Sequence, residues 1–126
     1  MVTWVLMFIS SLLVPLTMLG FGYWFSVKPP QYINFAFGYR TKRSMKSQEA
    51  WDFAQYAMSK LWTKYGMIML AVTVLIYILL LWQTEDVVYW ATLAVSLGQI
   101  AALILTIFPV ESALKRNFDE HGNLKK

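Results

Sequence analysis

The chain is predicted to be an all-α integral membrane protein with three transmembrane helices and an amphipathic interfacial helix in the loop between the first two. Three observations carry this. The windows 2–25, 65–82 and 87–108 are long, apolar and free of Lys, Arg, Asp and Glu. A bilayer span needs about 20 such residues, and one charge at the bilayer centre costs roughly 2.5 to 3.5 kcal/mol on insertion scales. All 11 Lys and Arg lie outside the windows. A soluble bundle would need polar outer faces on its helices, and these windows offer none. The 126 residues leave no room for a separate soluble domain, so 1–126 is one membrane domain.

The first window opens without a basic n-region, outruns a signal-peptide h-region and lacks an A-x-A-like site, so it is read as a retained span. Pro15 lies inside it and leaves the carbonyl of Ser11 without a helical donor, so a mild kink is expected over 10–15, partly healed by the nearby serine hydroxyls. Pro29 and Pro30 stop this span just past Lys28.

The loop 28–64 follows. Its aromatic stretch 32–37 suits the headgroup zone. Gly38 gives a flexible point, after which Ser44 or Ser47 can cap a helix with Glu49 in its first turn. From about Gln48 to Lys64, Ala50, Trp51, Ala54, Ala57, Met58, Leu61 and Trp62 recur at helical spacing. Glu49, Asp52, Gln55, Ser59, Thr63 and Lys64 are placed largely opposite. Such a helix lays its apolar face on lipid or on the other spans, then feeds into the second span at Tyr65 and Gly66.

The third span carries Ala94, Gly98 and Ala102 at i, i+4 and i+8, small residues that let helix backbones approach. They mark a packing face toward another span or another subunit, which leaves a homodimer open. Gln99 is the one strongly polar side chain deep in a span. It is read first as an interhelical hydrogen bonder and second as part of a ligand or toxin site. The tail 111–126 mixes both charge signs and reads as a solvated end, helical at its start.

Orientation follows from charge. Seven of the basic residues lie in the loop 28–64 and the rest in the tail, while the turn between spans two and three holds only Glu85 and Asp86. The positive-inside rule then places the N-terminus outside and the loop and C-terminus in the cytoplasm. The net charge of +4 acts at one membrane face, toward anionic lipid, and nucleic acid is not an expected partner. With no cysteine, disulfides, thiol catalysis and zinc-thiolate sites drop out. His121 sits among Asp119, Glu120 and Gly122 in the tail, where solvation explains it better than metal binding. Glu49 and Asp52 imitate a carboxylate pair, yet nothing completes an acid/base or metal site around them. The residues favour binding over catalysis, with no cofactor and no metal.

The order Asn34, then F-G-Y-R-T at Phe37 to Thr41, then Ser44, Lys46, Ser47, Glu49, Ala50 and Trp51 resembles the signature of the SdpI family of bacterial membrane proteins. In that pattern Asn precedes Gly-x-Arg-Thr, and a Ser/Thr-containing link leads to Glu and Trp opening a helix. Lys42 stands where the family often has proline. The resemblance implies a module of the bacterial cytoplasmic membrane with roles in immunity to a toxic peptide and in membrane-linked signalling. The family's named immunity protein has further N-terminal spans, and this chain resembles only its C-terminal module.

The resemblance also gives weight to Asn34, Gly38, Arg40, Thr41, Ser44, Glu49 and Trp51 as a ligand- or partner-binding set. Physically, Arg40 is either a topology charge or a fork for phosphate, carboxylate or headgroup. Asn34 and Thr41 can hold the turn, Glu49 can pair with Arg40, and Trp51 reads as an interfacial anchor. Three functions stay open: immunity or bacteriocin resistance against a membrane-active peptide, docking of a regulatory partner on the Arg40 loop, and a lipid-headgroup binder or enzyme. Expected partners are membrane lipids together with a toxic peptide or a cytoplasmic regulator.

Overall fold

A computed structural model of the chain describes residues 1–34 and 38–125. Its helices are α1 (Val2–Val27), α2 (Gln48–Leu79), α3 (Glu85–Leu105) and α4 (Ile107–Asn117). Three helical stretches are long and apolar enough to cross a membrane, with α3 and α4 together forming the third. Large apolar side chains such as Leu13, Leu75, Leu97 and Ile104 cover their outer surfaces, which suits a lipid solvent.

Local chemistry sets the ends. The Ser47 hydroxyl caps α2 by accepting from the Ala50 N–H at 3.0 Å. Thr84 caps α3, with Glu85 and Asp86 against the positive end of its dipole. The third stretch divides at Thr106 because Pro109 has no N–H to offer the carbonyl of Leu105. Lys115 and Arg116 occupy the last turn of α4, where cations are favoured.

The amphipathic segment and the second span form one uninterrupted helix of 32 residues, about 48 Å long at 1.5 Å per residue. Of the two expected supports for its apolar face, lipid or protein, the structure uses protein. Ala50, Ala54 and Met58 pack with Phe25, Tyr39, Val110, Leu114 and Phe118 in a core at the basic end of the molecule. Gln55 and Ser59, which helical spacing places opposite that face, are fully buried. The reason is local: Gln55 lies one turn after Trp51 and Ser59 one turn after Gln55, so both fall inside the stripe that the apolar residues begin.

Helix α1 is the central element, packing along α2 and also supporting α3. Its seam with α2 is close. A Cβ at Gly22 would meet Thr63 Oγ1 at 2.6 Å and Thr63 N at 2.9 Å, and one at Gly66 would meet Leu19 Cγ at 3.1 Å. Midway along the spans, α1 runs unbroken through Pro15. The Ser11 carbonyl that this proline orphans accepts from Gln99 Nε2 at 2.8 Å, and the same amide donates to Thr73 Oγ1 at 3.1 Å. The carbonyl is therefore satisfied by α3 rather than by the expected hydroxyls, since Ser10 bonds to Leu6 O. A second chain runs from Ser11 Oγ through Tyr77 OH at 2.7 Å to Thr92 Oγ1 at 2.6 Å. Thr92 passes its own proton to Val88 O, so the donors point in one direction along it.

Gly22→Ala should destabilise the protein by about 1 to 3 kcal/mol, because backbone atoms, Thr63 N at 2.9 Å and Ser59 O at 3.2 Å, block the added methyl along with the Thr63 hydroxyl. Gly20→Ala, whose Cβ meets nothing within 4 Å, is the control and should not destabilise. Denaturant unfolding in a mild detergent checks this, and equal stability of the two variants would contradict the seam.

Candidate functional site

The motif loop folds against the first turns of α2 and is organised around Tyr39. Gly38 has φ +105, which side chains rarely adopt, and a Cβ there would lie 3.0 Å from Gln55 Oε1 and 3.2 Å from the Trp51 ring. Glycine is thus required by both backbone and space. The next residue is gripped by one side chain: the Tyr39 N–H donates to Gln55 Oε1 at 2.7 Å, and Gln55 Nε2 donates back to the Tyr39 carbonyl at 2.8 Å. A buried amide therefore completes both backbone groups of Tyr39, as a neighbouring strand would.

The phenol of Tyr39 donates to Glu111 Oε1 at 2.7 Å, fastening the loop to α4. Burial pushes this phenol above its ordinary value, and the hydrogen bond to Glu111 and the charge of Glu111 push it further. Glu111 also faces Arg43 at 3.7 Å, a half-exposed pair of small energetic weight. After Arg40, the Thr41 N–H donates to Ser44 Oγ at 2.8 Å and the Ser44 N–H to Thr41 Oγ1 at 3.2 Å, a reciprocal turn. Trp51 closes the inner side by donating from Nε1 to Pro30 O at 2.8 Å.

The tail covers the other flank. The capping hydroxyl of Ser47 donates to Gly122 O, and Lys46 Nζ donates to Glu120 O. Phe118 pairs with Leu124 in an isolated bridge. Asp119 accepts from the N–H groups of His121 and Asn123, each at 2.9 Å. The bond from Asn123 is the largest cause holding this carboxyl below its usual range.

The structure gathers Gly38, Thr41, Ser44 and Trp51 into one cluster. Ser44 and Trp51 are completely buried, so they shape the loop from within, and the tryptophan expected at the lipid interface is an internal post. Arg40 and Glu49 are exposed. The loop's ion pair among the described residues joins Arg43 to Glu111 in place of the anticipated Arg40 to Glu49. Asn34 is half-buried and donates to Tyr32 O at 2.9 Å, a local turn contact as anticipated. Phe37, with the rest of 35–37, lies outside the described residues, and so does that part of the aromatic stretch. Sequence reasoning passed over Tyr39, Arg43, Gln55 and Glu111. Gln55 had a signal in its register with Trp51, whereas Glu111 stands 72 residues from Tyr39 and had none.

The second set of candidates lies in the membrane half. Gln99 is buried between all three long helices, as its hydrogen bonds require. Ala94 and Gly98 are exposed and Ala102 is half-buried. They line a groove of about 670 Å³ between α2 and α3, facing Met69, Val72 and Ile76. The small-residue stripe is therefore turned toward open space, and a Cβ on Gly98 would meet nothing within 4 Å.

Two outcomes follow for the loop. Gln55→Leu would leave the buried Tyr39 N–H without a partner, at about 1 to 3 kcal/mol, while the Tyr39 carbonyl keeps the Ser44 hydroxyl at 3.2 Å, and should accelerate hydrogen exchange at the Tyr39 amide. Because the folded phenol titrates above the unfolded one, the unfolded chain holds fewer protons in alkali, and stability should fall as pH rises beyond about 10. Tyr39→Phe should remove that part of the slope in unfolding measured across this range, and an unchanged slope would contradict the burial of the phenol.

No curated protein and no solved structure matches the chain. The model of the SdpI/YfhL protein family matches residues 32–110, which takes in the loop, all of α2 and α3 and the start of α4. That is more than half of the chain, and with its three apolar helical stretches the protein is a multi-pass membrane protein belonging to the SdpI/YfhL family.

Proposed function

We propose that this protein protects the cell carrying it against a membrane-active toxic peptide, acting by binding or signalling and not by catalysis. The observation that carries the binding part is the construction of the loop. Its polar groups are engaged with one another: Gln55 holds Tyr39, Thr41 and Ser44 hold each other, and Glu111 holds Tyr39 and Arg43. Such a cluster suits a fixed docking surface better than a proton-transfer site, which needs titratable groups aimed at a substrate. Arg40 emerges on its exposed side, where a guanidinium presents a planar fork to an anionic group.

The proposed setting is the bacterial cytoplasmic membrane, with the basic loop and the tail inside and the N-terminus outside. The distribution of Lys and Arg supports this. A regulatory subunit that docks a cytoplasmic protein on the same loop is the second reading, favoured by the exposure of Arg40 beside Lys42. A lipid-headgroup role is the third. Its support is the row of Lys60 over the Tyr56 ring at 4.6 Å and Lys64 over the Tyr65 ring at 5.4 Å, a pairing of cation and aromatic suited to an anionic interface.

Survival of a susceptible bacterial strain against a panel of membrane-active peptides tests the first reading. Cells expressing the protein should tolerate at least one peptide at several-fold higher dose, and Arg40→Ala, confirmed in the membrane, should lose most of that gain. Absence of protection against every peptide would reject the protective reading. Capture of a cytoplasmic partner through Arg40 would then be the reading to test.

A further inference from the structure

We propose that Lys60 and Lys64 of α2 form a site for the phosphate of an anionic phospholipid, at the border between hydrocarbon and headgroups on the side of the motif loop. This gives the lipid reading above a place in the fold and stands apart from the protective one. The border is located by three counts. A span takes about 20 residues. Counted from the ends remote from the loop, that length runs from Val2 to Phe21 in α1, from Leu79 back to Lys60 in α2, and from Glu85 to Ile104 in α3. The structure draws these points together at Trp62, whose ring meets the Phe21 ring at 6.5 Å and whose Nε1 donates to Thr106 Oγ1 at 3.1 Å. Lys60 therefore lies about 3 Å on the headgroup side of Trp62 and Lys64 about 3 Å on the hydrocarbon side, at 1.5 Å per residue.

At this depth a cation needs a counter-charge or a path back to the interface. Neither lysine has a carboxylate at salt-bridge distance, since the ion pair among the described residues is Arg43 with Glu111. Each ammonium instead lies over an aromatic ring, Lys60 over Tyr56 at 4.6 Å and Lys64 over Tyr65 at 5.4 Å. A ring orients the ammonium without neutralising it, and N–H donors remain for an anion. Helical side chains lean toward the N-terminus of their helix, so both groups rise toward the headgroups.

The surface around them selects the anion. Lys60 and Lys64 are exposed, and the same face of α2 continues into the hydrocarbon through Met67, Leu75 and Ile78, which are exposed as well. A phospholipid with its phosphate on the lysines thus lays its acyl chains along an apolar helix face. Dissolved phosphate has no use for that face. A zwitterionic headgroup brings its own ammonium to compete for the phosphate, whereas phosphatidylglycerol brings none.

The chain has no cysteine, so Met67→Cys supplies a single thiol one turn beyond Lys64 for a fluorophore. The labelled full-length protein is reconstituted in phosphatidylcholine vesicles containing a minor share of phosphatidylglycerol, with one or the other lipid brominated on its acyl chains as quencher. Phosphatidylglycerol should be enriched at the site about fivefold to tenfold over its share of the bilayer, the effect of two basic residues at an anionic interface. Lys60→Gln with Lys64→Gln should abolish the enrichment, and Lys60→Arg with Lys64→Arg should retain most of it. Lys115→Gln with Arg116→Gln, an equal loss of charge elsewhere, should leave it unchanged. Quenching by the two lipids in proportion to their shares would overturn the proposal. So would enrichment that survives the glutamine pair, is lost in the arginine pair, or falls as far in Lys115→Gln with Arg116→Gln. Loss of enrichment on adding inorganic phosphate, against chloride at equal ionic strength, would overturn it in favour of a dissolved anion. Enrichment without peptide protection in cells would uphold the site and reject the protective reading, and protection without enrichment would do the reverse.

Discussion

The carbonyl of Ser11 is the point on which the membrane half depends. Pro15 takes away its helical donor, and in hydrocarbon no water replaces it. The amide of Gln99 does, reaching from α3 to α1 and binding Thr73 of α2 with its other proton. One missing N–H thereby fixes the depth and rotation of three helices relative to each other. The Ser11 hydroxyl extends the constraint to Tyr77 and Thr92. Beside these bonds α2 and α3, joined by the short turn at 80–84, leave the wall between them open.

The half that carries the motif loop uses the same device, a buried glutamine standing in for backbone partners. Gln55 completes Tyr39, and Tyr39 carries the loop onto α4 through Glu111. Gln55, Thr73 and Tyr77 all stand on α2, a single helix. The motif loop and the polar contacts of the membrane half are thus anchored to the same helix.

Features that depend on position along the chain were legible in the sequence. The spans, a serine cap for α2, the orphaned carbonyl at Ser11 and the bonding role of Gln99 all follow from length, charge and spacing. Features that depend on which residues meet were not. Polarity alone points Gln55 and Ser59 outward, although their register with Trp51 places them on the buried stripe. Residue type alone suits Trp51 to the lipid interface, yet Gly38 and Pro30 enclose it. The stripe on α3 was visible, but what it faces depends on how α1 separates its neighbours.

Helix α1 lies outside the segment that matches the family model, yet it supplies the surfaces on which that segment packs. Gly22 admits α2, Ser11 holds α3, and Phe25 enters the core beneath the loop. Each contact asks for a particular property rather than a long motif: a missing side chain, a missing donor, an aromatic end. A first helix can change at most of its lipid-facing positions while keeping these three, because those positions require only an apolar residue. The match can therefore stop at the loop while the fold needs the helix before it.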